Sequence, residues 1–123
     1  MPSHQILIVE DDDDLRALYR RALALEGYTV VEANSGYAAL QRMDVQPPSL
    51  VILDLILPGY DGLAVLRDIS AQPHLRAVPV LVVTGSSLFV DPSRVAGVLR
   101  KPVAPARLLQ AIQQCLSAGG SVA

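Results

Sequence analysis

The chain reads as an α/β protein: a parallel sheet with helices on both faces. Three observations predict it. Short, almost wholly apolar runs recur at Ile6-Leu7-Ile8-Val9, Leu50-Val51-Ile52-Leu53, Val80-Leu81-Val82-Val83 and Val98-Leu99, and runs without polar alternation belong to strands buried on both sides. Segments with apolar residues at helical spacing separate them, as the crossovers of a parallel sheet require. Each run also ends on polar residues: Glu10-Asp11, Asp54, Thr84, and Arg100-Lys101. The carboxyl ends of parallel strands share one edge, and open α/β sheets take their ligands at that edge.

The first strand is expected over Gln5–Val9. The helix after it starts near Asp13 or Asp14, either of which can cap it. Leu15, Leu18, Tyr19, Ala22 and Leu25 form its apolar stripe, with Arg16, Arg20 and Arg21 mostly facing water, and Gly27 sits just past its end. Tyr28 to Ala33 is a short strand and Asn34-Ser35-Gly36 a turn and cap. A second helix runs to about Asp44 with Leu40 and Met43 inward, and Pro47-Pro48 stops it before strand three, Leu50–Leu53. After the loop Pro58-Gly59-Tyr60-Asp61-Gly62, a third helix of about Leu63 to Ala71 turns Leu63, Leu66 and Ile69 to the core. Strand four is Val80–Val83 and strand five about Gly97–Arg100. Pro105 opens a last helix with Leu108, Leu109, Ile112 and Leu116 inward. Five strands alternating with helices predict a three-layer, doubly wound, flavodoxin-like sheet of order 2-1-3-4-5. That order makes strands one and three neighbours.

A length of 123 residues suits one domain over 1–118, with the small, Gly-rich residues 119–123 as a flexible tail. The formal net charge of -2 offers no basic stripe, so direct nucleic-acid binding by this domain is not expected. Cys115 is the only cysteine and sits in a helical pattern, which predicts an inert, buried or half-buried thiol and no disulfide within the chain. Met1-Pro2-Ser3-His4 lacks a basic start, and no apolar run approaches the ~20 residues of a membrane span. A reduced, cytoplasmic, membrane-free setting is the expectation.

The strand-end residues define the chemistry. Glu10, Asp11 and Asp54 would repel one another, and a hard divalent cation such as Mg²⁺, which takes oxygen ligands, relieves that repulsion. His4 and His74 lie far apart, so no zinc-type grouping is present. A carboxylate beside such a metal can attack a phosphoryl group, with donors at the other strand ends taking its remaining oxygens. Thr84 supplies a hydroxyl and Lys101 an ammonium. Lys101 is the only lysine among ten cationic residues, which suits a site needing a compact point charge. Asp54, alone at a central strand end, is the expected acceptor, and Glu10-Asp11 the pair suited to metal.

In these residues, and over essentially its whole length, the chain resembles the receiver domain of two-component response regulators, chemotaxis regulators among them. The paired acids match Glu10-Asp11, and the phosphoacceptor aspartate followed by Pro and Gly matches Asp54 with Pro58-Gly59. The hydroxyl after strand four matches Thr84, and the Lys-Pro after strand five matches Lys101-Pro102. The resemblance implies Mg²⁺ held by Asp11, Asp54 and the backbone carbonyl of Ile56, with Glu10 acting through water, and a cis bond before Pro102. It implies phosphorylation of Asp54 by a sensor histidine kinase or phosphotransfer protein and slow loss of that group. The output would be a switch in binding to an effector protein or attached output domain, and no turnover of a metabolite.

Two features depart from the family pattern. Val98 stands where the family usually carries a switching Tyr or Phe. Lys101 comes only 17 positions after Thr84, several fewer than usual, so the fourth helix must be shortened and Phe89 has no obvious place. Signalling is therefore expected to run through ordering of the segment after Thr84. Two other classes of function fit parts of the pattern. A Mg²⁺-dependent aspartyl-phosphate phosphohydrolase would use Asp54 as nucleophile, but the chain lacks a second acid beside it and a cap segment. A flavodoxin-like binding module would need a phosphate-cradling loop after strand one, where this chain places acids.

Overall fold

The computed structural model describes residues 4–117; the tail expected over 119–123 lies outside them. Among the described residues the elements run β1 (Gln5–Val9), α1 (Asp13–Leu25), β2 (Thr29–Ala33), α2 (Gly36–Val45), β3 (Leu50–Leu53), α3 (Gly62–Ala71), β4 (Val80–Thr84), a 3-10 turn (Pro92–Arg94), β5 (Gly97–Arg100) and α4 (Pro105–Leu116). The five strands are parallel, in order β2-β1-β3-β4-β5, as expected.

Alternation along each strand divides the core in two. Leu7, Val9, Val51, Leu53, Val80 and Val82 point to one face and pack with Ala39 and Met43 of α2 and Val65, Leu66 and Ile69 of α3. Ile6, Ile8, Leu50, Ile52, Leu81, Val83 and Leu99 point to the other, against Tyr19 and Leu23 of α1 and Leu108, Ala111, Ile112 and Cys115 of α4. Those strand residues are at most 7% exposed, so burial on both faces explains why the sequence shows unbroken apolar runs.

The helix ends follow local chemistry, with one shift from expectation. Asp12, not Asp13 or Asp14, caps α1: its carboxylate accepts the Leu15 N–H at 3.0 Å. Ser35 caps α2 and Asp61 caps α3. Gly27 takes the left-handed conformation (φ 88) just past the C-cap of α1. The α1 stripe also sits differently. Leu18 is 44% and Leu25 88% exposed, while Tyr19 and Leu23 are buried. Tyr19 is thus a core residue, and burial pushes its hydroxyl pKa up.

The shortened helix expected between strands four and five is reduced further than the spacing implies. Between Thr84 and Gly97 there is no α-helix, only the 3-10 turn over Pro92–Arg94, capped by Asp91 through the Ser93 N–H and hydroxyl. Val90 anchors this connection in the core and Val95 packs against it. Phe89, by contrast, stays 80% exposed. Cys115 is buried, and burial raises its thiol pKa.

Candidate functional site

The register aligns Val9 with Leu53 and Thr84 with Arg100, so the residues that follow these strands emerge at one edge. Two backbone bonds carry the pairing past the strands and place the site. Asp54 N donates to Val9 O at 3.1 Å, and Lys101 N to Thr84 O at 3.0 Å. Close packing holds Asp54 from below. A Cβ on Gly62 would stand 2.5 Å from both the Asp54 carbonyl oxygen and the Leu55 Cα, so α3 can start there only on glycine.

Asp54 is 5% exposed, and both its oxygens are held. Oδ1 accepts the Thr84 hydroxyl at 2.9 Å and the Ile56 N–H at 3.0 Å; Oδ2 accepts the Lys101 ammonium at 2.7 Å. Lys101 also donates to Glu10 Oε1 at 2.6 Å, and Glu10 Oε2 accepts the Asp12 N–H at 3.1 Å. Charged donors and acceptors at these lengths are the strong class of hydrogen bond. Glu10 is 2% exposed, and burial pushes its carboxyl above the usual range despite Lys101 and Asp12. Burial alone would lower Lys101, but its hydrogen bonds to Asp54 and Glu10 outweigh that and hold the ammonium above its ordinary range. The two shifts agree physically. One ammonium shared between two acids keeps its own proton firmly but only partly offsets what burial costs Glu10.

Glu10, Asp11 and Asp54 offer carboxylate oxygens that all lie within 4.8 Å of one another. Against them stands one ammonium, so the cluster keeps an excess of two negative charges when all three acids ionise. Asp11 is exposed and, among the described residues, makes no hydrogen bond or ion pair of its own. An all-oxygen donor set, doubly negative, with one unpartnered carboxylate, fits a hard divalent cation of the magnesium type.

The structure brings Glu10, Asp11, Asp54, Thr84 and Lys101 together. Ile56 lies beside them through its N–H, and the residue is 57% exposed. Asp12 serves as the α1 cap, and Asp13 pairs with Arg16 at 2.7 Å in solvent. The Lys101-Pro102 bond is cis. Sequence reasoning missed two neighbours. Arg16 is not a water-facing residue: its side chain is 16% exposed and its Nη1 donates to the Glu10 carbonyl at 2.8 Å. Ser86 donates its N–H to the Thr84 hydroxyl oxygen at 3.1 Å. The opposite charge of Glu32 on the facing strand could have flagged Arg16; Ser86 carried no signal beyond nearness to Thr84.

The family model for the response regulator receiver domain matches residues 6–113. Response regulator MprA of Mycobacterium ulcerans is 35% identical over 121 residues, covering 93% of this chain and 50% of MprA. The polar-differentiation response regulator DivK of Brucella ovis is 28% identical over 116 residues, covering 90% of this chain and 94% of DivK. The chain thus spans half the length of MprA and nearly all of DivK. A response regulator crystal structure from Chloroflexus aurantiacus superposes with a TM-score of 0.87 at 29% identity, covering 95% of this chain and 100% of that one.

Proposed function

The chain belongs to the response regulator receiver domain family of two-component signalling, and on that premise we propose that it is a Mg²⁺-dependent phosphoacceptor switch acting through Asp54. The observation that carries this reading is the convergence on one buried carboxylate of a hydroxyl, an ammonium and a backbone N–H from three strand ends.

An Asp54 oxygen attacks the phosphorus of a phosphohistidine on a sensor kinase or phosphotransfer protein. The P–N bond breaks with its electron pair going to the imidazole, and an acyl phosphate forms on Asp54. Thr84 and Lys101, which now bind the Asp54 carboxylate, would turn their donors to phosphoryl oxygens as charge grows there. Asp11, Asp54 and the Ile56 carbonyl would hold the metal, with Glu10 acting through water. When bound, the cation would neutralise charge on the transferred group. Slow hydrolysis would reset the switch, and an effector protein or attached output domain would read it. The module is proposed to occupy residues 1–118 in a cytoplasmic setting; no helix among the described residues is long and apolar enough to cross a membrane.

The test is an intact mass after incubation with acetyl phosphate or phosphoramidate and Mg²⁺. One phosphoryl adduct per chain, dependent on Mg²⁺ and absent in Asp54→Asn, is the expected result. Rapid multiple turnover of small phosphate esters without an adduct would instead identify a phosphohydrolase.

A further inference from the structure

Arg16 sits on the first turn of α1, where a solvated surface cation is the ordinary expectation. Each of its three guanidinium nitrogens instead has a partner. Nη1 donates to the Glu10 carbonyl at 2.8 Å, Nε to Glu32 Oε1 at 3.2 Å, and Nη2 to Asp13 Oδ1 at 2.7 Å. Glu32, on β2, is gripped again by Arg20 Nη1 at 3.0 and 3.1 Å. The Glu10 N–H meanwhile donates to Ala33 O, also on β2, at 3.1 Å. Both backbone polar groups of Glu10 are therefore tied to β2, one directly and one through Arg16 and Glu32.

This matters for Asp11. Its carboxylate has no partner among the described residues, so the backbone alone sets where it stands. That backbone is held from residue 10 by the ties just described. From residue 12 it is held by the Asp12 N–H on Glu10 Oε2, the Asp12 cap on Leu15, and the Arg16 N–H on Asp12 O at 2.9 Å. A rigid planar fork can bond a carbonyl and a carboxylate at once, and a lysine ammonium cannot reproduce that geometry.

We propose that Arg16 is a positioning residue for the cation site: by clamping the Glu10 carbonyl to Glu32 it fixes the β1–α1 corner so that Glu10 and Asp11 face the same ion as Asp54. The proposal rests on the magnesium reading above. Electrostatics makes it testable by sign. Arg16 is a cation beside a cation site, so a purely through-space role predicts tighter metal binding when it is removed. A clamp predicts weaker binding.

The experiment is calorimetric titration of the full chain with Mg²⁺, with melting curves in chelator to verify folding. Arg16→Lys, which keeps the charge and loses the fork, and Arg16→Ala should each weaken Mg²⁺ binding about tenfold, as loss of an outer-shell support does. Arg20→Ala removes a cation that touches Glu32 but not Glu10, and should leave binding unchanged or tighter. Wild-type affinity in Arg16→Lys overturns the proposal. So does tighter binding in Arg16→Ala, or an equal loss in Arg20→Ala. Should Arg16→Ala fail to fold, Arg16→Lys decides alone. Absence of Mg²⁺ binding by the wild type sinks the magnesium reading itself, a distinct result that takes the clamp with it.

Discussion

The Thr84 hydroxyl donates to Asp54 Oδ1 at 2.9 Å while accepting the Ser86 N–H at 3.1 Å. The Asp54 carboxylate is thus two hydrogen bonds from the connection between β4 and β5. Ser86 passes the linkage on, since its carbonyl accepts the Arg100 guanidinium and its Oγ the Leu88 N–H at 3.0 Å. Val98 is half-buried against the α2/α3 side of the core and has neither ring nor hydroxyl to swing.

A phosphoryl mimic on Asp54 should therefore alter hydrogen exchange across Gly85–Val95. A bond worth about 1 kcal/mol corresponds to roughly a fivefold change at the Ser86 amide. Thr84→Ala should abolish the response. Exchange in this segment that ignores the mimic would show that the signal leaves by another route.

Lys101→Met removes the one ammonium from three acids, two of them buried. Breaking a buried pair from one side costs several kcal/mol, and the 22% exposure of the Lys101 side chain moderates that. Urea unfolding in chelator should show a loss of about 2–3 kcal/mol. Mg²⁺ should restore much of it and bind more tightly than to the wild type. A variant as stable as the wild type without metal would mean that the acids do not repel as argued.

Glu10 should give an inverted pH dependence. Burial raises its folded-state pKa above the ordinary 4.5, so the folded protein holds this proton more tightly than the unfolded chain. The stability Glu10 contributes is then complete below pH 4.5 and is lost as pH rises through the higher folded value. In chelator, the wild type should lose ground to Glu10→Gln as pH climbs above this range, and saturating Mg²⁺ should shrink the gap. Melting temperatures of both proteins from pH 4 to 7 decide it; a gap that narrows with rising pH without metal would reverse the sign assigned to burial.

Gly62→Ala tests the packing beneath Asp54. At this first helical position alanine gains at most about 1 kcal/mol of helix propensity, yet its Cβ would lie 2.5 Å from backbone atoms that cannot rotate aside. The clash should win, with a net loss of about 1–3 kcal/mol in urea unfolding and slower phosphorylation as Asp54 shifts. An unchanged midpoint would mean that α3 can slide to make room.

Most of the fold was legible because the strands are buried on both faces and so advertise themselves as unbroken apolar runs. The Asp54, Thr84 and Lys101 cluster was legible because strand direction alone delivers strand-end residues to one edge. What escaped depends on orientation. A helical stripe 100° wide does not say which flank meets the sheet, so Leu18 and Leu25 read as core while Leu23 was overlooked; exposed leucines cost little. Arg16 escaped for a related reason, since only the crossing of α1 over β2 brings it to Glu32 and the Glu10 carbonyl. The connection after Thr84 kept only a single 3-10 turn because the short span also had to deliver Val90 and Val95 to the core.

The lone lysine has a practical consequence. Apart from the amino terminus, Lys101 is the chain's only primary amine, and it is wedged between Glu10 and Asp54. Acylating reagents selective for amines therefore address the Glu10–Asp54 acid cluster and nothing else on the side-chain surface. The rate at which such a label is taken up becomes a direct gauge of how tightly those two acids hold the ammonium, and of anything that displaces it from them.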